Sequence, residues 1–88
     1  MNPDAVVKAV GAALRTKRQW SAGEVMYLPD AGPDIFLKQG QGGIYLNQLH
    51  KQPMRHVAML NLTAESMSWV PVMWWEFGVR QWCKEVSA

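Results

Sequence analysis

The chain has 88 residues, of which 49% are hydrophobic and 18% are charged, and its formal net charge is +2. A chain of this length is expected to form one domain, residues 1–88, with a small core, and its charged share is lower than the roughly 25% of ordinary soluble domains. The single cysteine excludes an internal disulfide and any zinc site made of cysteines.

The first predicted element is a helix from residue 3 to about residue 18. Asn2 suits the N-cap, Pro3 suits the first helical position, and Asp4 adds a negative charge to the first turn. The apolar residues that follow recur at helical spacing, so they are expected to share one face and to pack on the core. They are Val6, Val7, Val10, Ala13 and Leu14.

A second, short helix is predicted over residues 22–28. Ser21 and Glu24 have the spacing of a capping box, in which the serine and the glutamate each bond to the backbone N–H of the other residue. Pro29 follows this segment and is expected to end the helix, because proline favours turns and interrupts helical hydrogen bonding. Residues 29–33 contain two prolines and a glycine, which is typical of a loop.

Residues 34–52 allow two interpretations, of which the first is helical. Residues 41–52 would then form a third helix that turns its apolar residues inward and its amide, histidine and lysine side chains outward. The last part of the segment, residues 49–52, supports this helix because it lacks the alternation of polar and apolar residues that a half-buried strand has.

In the second interpretation, residues 34–39 and 43–48 are the two strands of a hairpin. They would join across residues 40–42, and the isoleucine, phenylalanine, tyrosine and glycines of this stretch are typical of strands and tight turns. The sequence leaves both interpretations open. We adopt the helix as the prediction and keep the hairpin as its rival.

The remaining chain predicts two strands and a helix. The first strand is expected over residues 55–62, a turn over residues 63–66, and the second strand over residues 69–75. Pro71 lacks a backbone N–H, so the second strand is expected at a sheet edge or at a bulge. A short amphipathic helix then follows from the helical spacing of Val79, Trp82, Cys83 and Val86.

Residues 35–64 contain no Asp or Glu, whereas residues 38–56 are rich in lysine, arginine, histidine and side-chain amides. A segment with many hydrogen-bond donors and no carboxylates suits a partner that is anionic and covered in hydrogen-bond acceptors. Nucleic acid fits that description, so this segment predicts a nucleic-acid-binding surface.

The predicted order is helix, helix, helix, strand, strand, helix in a single α+β domain. This pattern resembles the winged helix-turn-helix domains of small bacterial and phage regulators of transcription. Residues 20–25 resemble the capped start of their second helix, and residues 45–52 resemble their recognition helix. Residues 55–60 and 70–75 resemble the two strands of the wing.

The resemblance implies a small, basic, DNA-binding regulator whose third helix, around residues 43–52, enters the major groove of double-stranded DNA. Asn47 and Gln48 would read bases, and His50 and Lys51 would reach bases or phosphates. The remaining cations would hold the DNA backbone. The candidate nucleic-acid-binding residues are therefore Lys38, Asn47, Gln48, His50, Lys51, Arg55, Lys17 and Arg18.

The tryptophans support an alternative function. A core of this size cannot easily bury five tryptophans. At least one of them is therefore expected at a contact surface for a protein partner or a second copy. The candidate interface residues are Trp74, Trp75 and Trp82. The alternative is a small protein-binding module or inhibitor that docks on a larger complex. Its fold would be an α-β-β-β-α sandwich that contains the 34–48 hairpin.

No catalytic constellation is visible in the sequence. His50 and His56 lack a third metal ligand nearby, and Cys83 lies within an apolar helical stripe, which predicts a core or interface thiol. We therefore expect neither an enzyme nor a metal or other cofactor. No apolar run approaches the roughly 20 residues that span a bilayer, and residues 1–20 lack the apolar stretch of a signal peptide. These observations predict a cytoplasmic protein without a membrane partner.

Overall fold

A computed structural model describes residues 1–62, 65 and 67–87, and within this part of the chain two helices flank five strands. The strands form an antiparallel, curled sheet in which each strand pairs with the next along the chain. The elements are α1 Pro3–Thr16, β1 Val25–Tyr27, β2 Ile35–Gly40, β3 Gly43–Gln48, β4 Arg55–Asn61, β5 Ser68–Pro71 and α2 Trp75–Ser87.

The two terminal helices were predicted, and both are present. In α1, the Asn2 side-chain oxygen accepts hydrogen bonds from the backbone N–H groups of Asp4 and Ala5, at 3.0 and 3.4 Å. This is the capping arrangement expected for an asparagine before a helix. Helix α2 is longer than its apolar spacing indicated, because it begins at Trp75, the last residue that the sequence assigned to the second strand.

The predicted second helix is wrong, since residues 25–27 form strand β1 and pair with β2. Ser21 and Glu24 do interact, but they close a turn. The Ser21 N–H donates to a Glu24 carboxylate oxygen at 2.9 Å, and the Glu24 N–H donates to the Ser21 carbonyl at 3.0 Å. Gly23 between them has φ +76°, which no right-handed helix accommodates. The capping-box spacing therefore marks a tight turn into a strand.

The predicted third helix is also wrong, and the hairpin interpretation of this segment is confirmed. Strands β2 and β3 pair from Ile35 opposite Gln48 to Gly40 opposite Gly43, around a two-residue turn. Gly42 in that turn has φ +83°, a conformation that favours glycine. Because the second and third predicted helices are strands, the fold is not a winged helix. It is closer to the rival sandwich, with five strands in place of three.

The predicted strand pair after residue 55 is present with altered bounds. Strand β5 lies at the edge of the sheet, as Pro71 indicated, and it ends at that proline. Trp74 and Trp75 therefore lie at the start of α2, where the prediction had placed them on a strand. In the predicted wing tip, residues 63, 64 and 66 fall outside the described part of the chain.

The core lies between the two helices and one face of the sheet. Helix α1 contacts α2 and β5, and α2 also contacts β4. The buried apolar side chains of β2 and β3 alternate along the strands, so they all point toward the helices. They are Ile35, Leu37, Ile44 and Leu46. The opposite face of β1–β3 is covered by neither helix, which leaves it as the candidate surface for a ligand.

No helix within the described residues is both long enough and apolar enough to cross a membrane.

Candidate functional site

The uncovered face of the first four strands, here called the outer sheet face, carries an unusual set of side chains. The strand pairing places them in two rows across the sheet. One row runs through Tyr27, Phe36 and Asn47, and the other runs through Val25, Lys38, Tyr45 and His56. Gly40 and Gly43 complete the face between β2 and β3.

Four rings of this face form two contacting pairs. Tyr27 and Phe36 lie with their ring centroids 5.3 Å apart at an angle of 46°. Tyr45 and His56, which are directly opposite one another on β3 and β4, stack at 4.9 Å and 25°. Phe36 and Tyr45 are diagonal neighbours on adjacent strands, roughly 7–8 Å apart. The face therefore presents two aromatic platforms side by side.

The platform of Tyr45 and His56 depends on two glycines, because a larger residue at either position would collide with one of the rings. A Cβ atom on Gly43 would lie 2.0 Å from the His56 Nε2 atom and 2.3 Å from the Ala58 carbonyl oxygen. The Tyr45 ring lies over Gly40 in the same way, at 3.2 Å from a Cβ built there. The Tyr45 hydroxyl donates to the Gln41 carbonyl at 2.9 Å. One edge of each ring therefore lies close to a glycine of the β2–β3 hairpin, where a larger residue would displace it.

The charge on this face is positive. Lys38 is exposed, and it lies between Val25 on β1 and Tyr45 on β3. It makes none of the ion pairs found among the described residues. None of the nine residues that form the outer sheet face is Asp or Glu, so an anion that approaches Lys38 meets no carboxylate of this face.

An open groove runs over the same residues, with a volume of about 650 Å³. Its walls are the aromatic rings and aliphatic side chains of β1–β3, together with Met54 just before β4. Its polar lining residues include Lys38, Asn47 and Gln41. The Asn47 side-chain nitrogen donates to the Tyr45 carbonyl at 3.1 Å, which restrains the amide at the edge of the groove.

Two of the predicted nucleic-acid-binding residues, Lys38 and Asn47, are on the outer sheet face. The others are not. Gln48 and Lys51 line a separate groove together with Met1 and Val86 at the end of α2. His50 lies in the turn after β3 with φ +63°. The structure thus divides the predicted recognition helix between the two faces of a strand and the turn that follows it.

The predicted phosphate-binding cations are engaged within the chain. Arg55 bonds to both carboxylate oxygens of Glu85 on α2, at 2.7 and 2.8 Å. Arg18 donates to the Trp69 carbonyl at 3.2 Å. Lys17 pairs with Glu24, and the hydrogen bond from Lys17 lowers the pKa of the Glu24 carboxyl. These contacts tie the helices and loops to the sheet.

The three predicted interface tryptophans have three different environments. Trp82 is fully buried, and its indole N–H donates to the Pro53 carbonyl at 2.8 Å. Trp75 is half-buried, with its indole against Gly11 on α1. Trp74 is 76% exposed. Trp74 alone among these three is therefore available to a partner.

Trp74 also has an unfavourable backbone conformation, with φ +64°. A bulky residue rarely adopts this left-handed conformation, which costs roughly 1–2 kcal/mol. We expect Trp74→Gly to be more stable than Trp74→Ala by about 0.5–1 kcal/mol, because glycine removes the strain but has a more flexible unfolded state. Urea unfolding of the two variants measures the difference. Equal stability would contradict the left-handed conformation.

The sequence also raised expectations for Cys83 and for potential metal ligands. Cys83 is buried in the core, as predicted, and burial raises the pKa of its thiol, which disfavours the nucleophilic thiolate. Among the described residues, no group of three or more His, Cys, Asp or Glu side chains is placed to hold a metal ion.

The sequence interpretation missed both aromatic platforms, because none of their four rings was among the candidate site residues. They are Tyr27, Phe36, Tyr45 and His56. The signal was present in the alternation of β2 and β3, which separates Phe36 and Tyr45 from the buried residues on either side. No protein-family model matches this chain, and no curated protein or solved structure matches it either.

Proposed function

We propose that the protein binds single-stranded nucleic acid on the outer sheet face. The observation that carries this proposal is the pair of aromatic platforms on a face without carboxylates, beside a lysine that joins no ion pair among the described residues. Bases stack on aromatic side chains in proteins that bind single strands, and a nearby cation attracts the phosphates. Asn47 adds an amide that bonds to base edges.

The geometry favours single strands over the duplex that the winged-helix resemblance implied. A base can stack on Phe36 or Tyr45 only if it has left its own base stack, which a single strand permits at low cost. Recognition of the major groove, in contrast, uses an inserted helix or β-ribbon, and residues 43–48 are a strand inside a five-stranded sheet. The two platforms provide room for two or three bases.

The charge on the face predicts modest affinity and a shallow dependence on salt. Each phosphate neutralised on a single strand contributes a slope of roughly −0.7 to the plot of log affinity against log salt. With Lys38 as the one lysine or arginine of the face, we expect a slope near −1 or shallower. Most of the binding free energy would then come from stacking, at about 1–3 kcal/mol per base.

The test measures binding affinity by fluorescence anisotropy at two salt concentrations. The labelled ligands are ten-nucleotide single strands of thymidine or uridine and a duplex of the same length. Single strands are expected to bind more tightly than the duplex. Tyr27→Ala and Tyr45→Ala should each weaken single-strand binding roughly 5- to 150-fold, whereas Tyr45→Phe should retain it because the ring remains.

A matched pair of lysine substitutions tests the contribution of charge. Lys38→Gln should remove about 0.7 from the salt slope, and Lys8→Gln, at an exposed position on α1, should leave the slope unchanged. Duplex binding equal to single-strand binding, or equal effects of the two lysine substitutions, would contradict the proposal. Circular dichroism of each variant verifies that the fold is retained.

A second candidate function, binding to a protein, is favoured by a different observation. Trp74 is exposed at the start of α2, and Met73 and Phe77 beside it are 78% and 69% exposed. Large aromatic side chains in such a position are typical of interface hot spots. These residues lie at the beginning of α2 and in the turn before it, away from the strands that carry the aromatic platforms.

A further inference from the structure

The turn that leads into α2 presents apolar side chains to solvent. The Trp75 N–H donates to the Val72 carbonyl at 3.0 Å, and this turn directs Met73 and Trp74 outward. Trp74, Glu76, Phe77 and Arg80 line a shallow groove of about 470 Å³. These four residues with Met73 are called the Trp74 surface below.

The charges on the Trp74 surface have both signs. Glu76 and Arg80 are one helical turn apart on either side of Phe77. Arg80 also contacts Asp4 on α1 at 2.7 Å, in an exposed pair whose aspartate is 81% accessible, and exposed pairs of this kind are weak and exchange readily. A uniformly acidic partner would leave Glu76 opposed by a like charge, and a uniformly basic partner would do the same to Arg80.

We propose that the Trp74 surface binds a second copy of this chain, with the two α2 helices antiparallel about a two-fold axis near Phe77. Antiparallel pairing brings the Trp74 end of each helix to the Arg80 end of the other. The indole then faces a guanidinium, which is a favourable cation–π arrangement. Glu76 of each copy lies beside Arg80 of the other copy. A two-fold interface requires a patch that is complementary to itself, and this arrangement meets that requirement.

The available area indicates a weak dimer. Large aromatic side chains bury roughly 150–250 Å² each, and the exposed parts of Met73, Trp74 and Phe77 fall short of the roughly 800 Å² that each partner contributes to a standard interface. Polar side chains on the same side of α2 would supply the rest. We therefore expect dimers at high micromolar concentrations and monomers below them.

This inference names the partner for the second candidate function and is independent of nucleic-acid binding. The outer sheet face belongs to β1–β4, and α2 packs on the other side of β4. Dimerisation through α2 would leave the outer sheet face of each copy free, so one dimer would offer two aromatic surfaces. Loss of the dimer and loss of nucleic-acid binding are measured separately.

The test is sedimentation velocity of the full chain from about 5 µM to 1 mM, with charge-exchange variants. Arg80→Glu alone and Glu76→Arg alone each place like charges together in the dimer, so we expect each to weaken self-association at least tenfold. A mixture of the two variants restores both opposite-charge contacts and one of the two Trp74–Arg80 contacts, so it should dimerise more strongly than either variant alone and somewhat more weakly than the native chain. Phe77→Glu should be monomeric in every mixture.

Near-ultraviolet circular dichroism of each variant verifies that the monomer is folded. A native chain that remains monomeric at 1 mM would overturn the proposal and leave the surface to a different protein. Equal dimerisation of the native chain and all the variants would overturn it as well, because the dimer would then form elsewhere. Recovery of the dimer in the mixture, with neither variant dimerising alone, is the supporting result.

Discussion

Gly43→Ala is expected to destabilise the protein by about 2–3 kcal/mol, a typical cost of forcing extra volume into a packed site. The new methyl group would lie 2.3 Å from the Ala58 carbonyl oxygen and 2.0 Å from the His56 ring. The His56 side chain can rotate away, but the carbonyl belongs to β4, so β3 and β4 would have to separate. The same change displaces the ring that stacks on Tyr45, and we expect single-strand binding to weaken with stability.

Gly78→Ala is the matched control for this prediction. A Cβ atom at Gly78 meets only the aliphatic part of Arg55, at an ordinary contact distance of 3.6 Å. Gly78 lies within α2, where replacing glycine with alanine stabilises by roughly 0.5–1 kcal/mol. Urea unfolding should therefore give changes of opposite sign for the two substitutions. A stabilising or neutral Gly43→Ala would show that β3 and β4 are not packed as described.

Trp82→Ala has the largest expected effect on stability, a loss of about 3–5 kcal/mol. Trp82 is 0% exposed, so its removal leaves a cavity between α2 and the sheet and deprives the Pro53 carbonyl of its hydrogen bond. A chain of this length has a total stability of roughly 4–13 kcal/mol at the usual 0.05–0.15 kcal/mol per residue. We therefore expect the alanine variant to lose a large part of the total stability and to unfold at a much lower urea concentration than the native chain.

Two substitutions separate the contributions of Trp82. Trp82→Phe keeps most of the packing and loses the indole N–H, so it should cost less than the alanine substitution. Trp74→Ala removes the same type of side chain from a position that is 76% exposed, and it should change the free energy of unfolding by less than about 0.5 kcal/mol. Similar losses for Trp82→Ala and Trp74→Ala would contradict the burial that distinguishes them.

The sequence predicted the elements whose signals are local. The signals for the two helices involve residues within one or two helical turns of each other. They are Asn2 and Pro3 at the start of α1, and the apolar spacing of α2. The prediction of a helix over residues 22–28 was wrong because Ser21 and Glu24 make a similar contact in a tight turn and in a capping box. Which of the two forms depends on the pairing of β1 with β2, and that pairing is not encoded locally.

The candidate site was predicted only in part, for the same physical reason. Lys38 and Asn47 were found because the segment lacks acids. The helical interpretation turned Tyr45 inward, whereas in the observed strand Tyr45 faces outward and its neighbours Ile44 and Leu46 are buried. Arg55 was predicted to bind phosphate, but its partner Glu85 is 30 residues away in the sequence, and only the tertiary fold brings the two together.

The most direct test of the proposed function is a titration of the ¹⁵N-labelled full chain with a ten-residue thymidine single strand, followed by amide chemical shifts. Binding on the outer sheet face predicts the largest changes at Tyr27, Lys38, Tyr45 and Asn47, with α2 and residues 49–52 unaffected. Two results would contradict the proposal that this face binds nucleic acid. One is chemical-shift changes concentrated at Gln48, Lys51 and α2, and the other is no chemical-shift change at millimolar concentrations of the single strand.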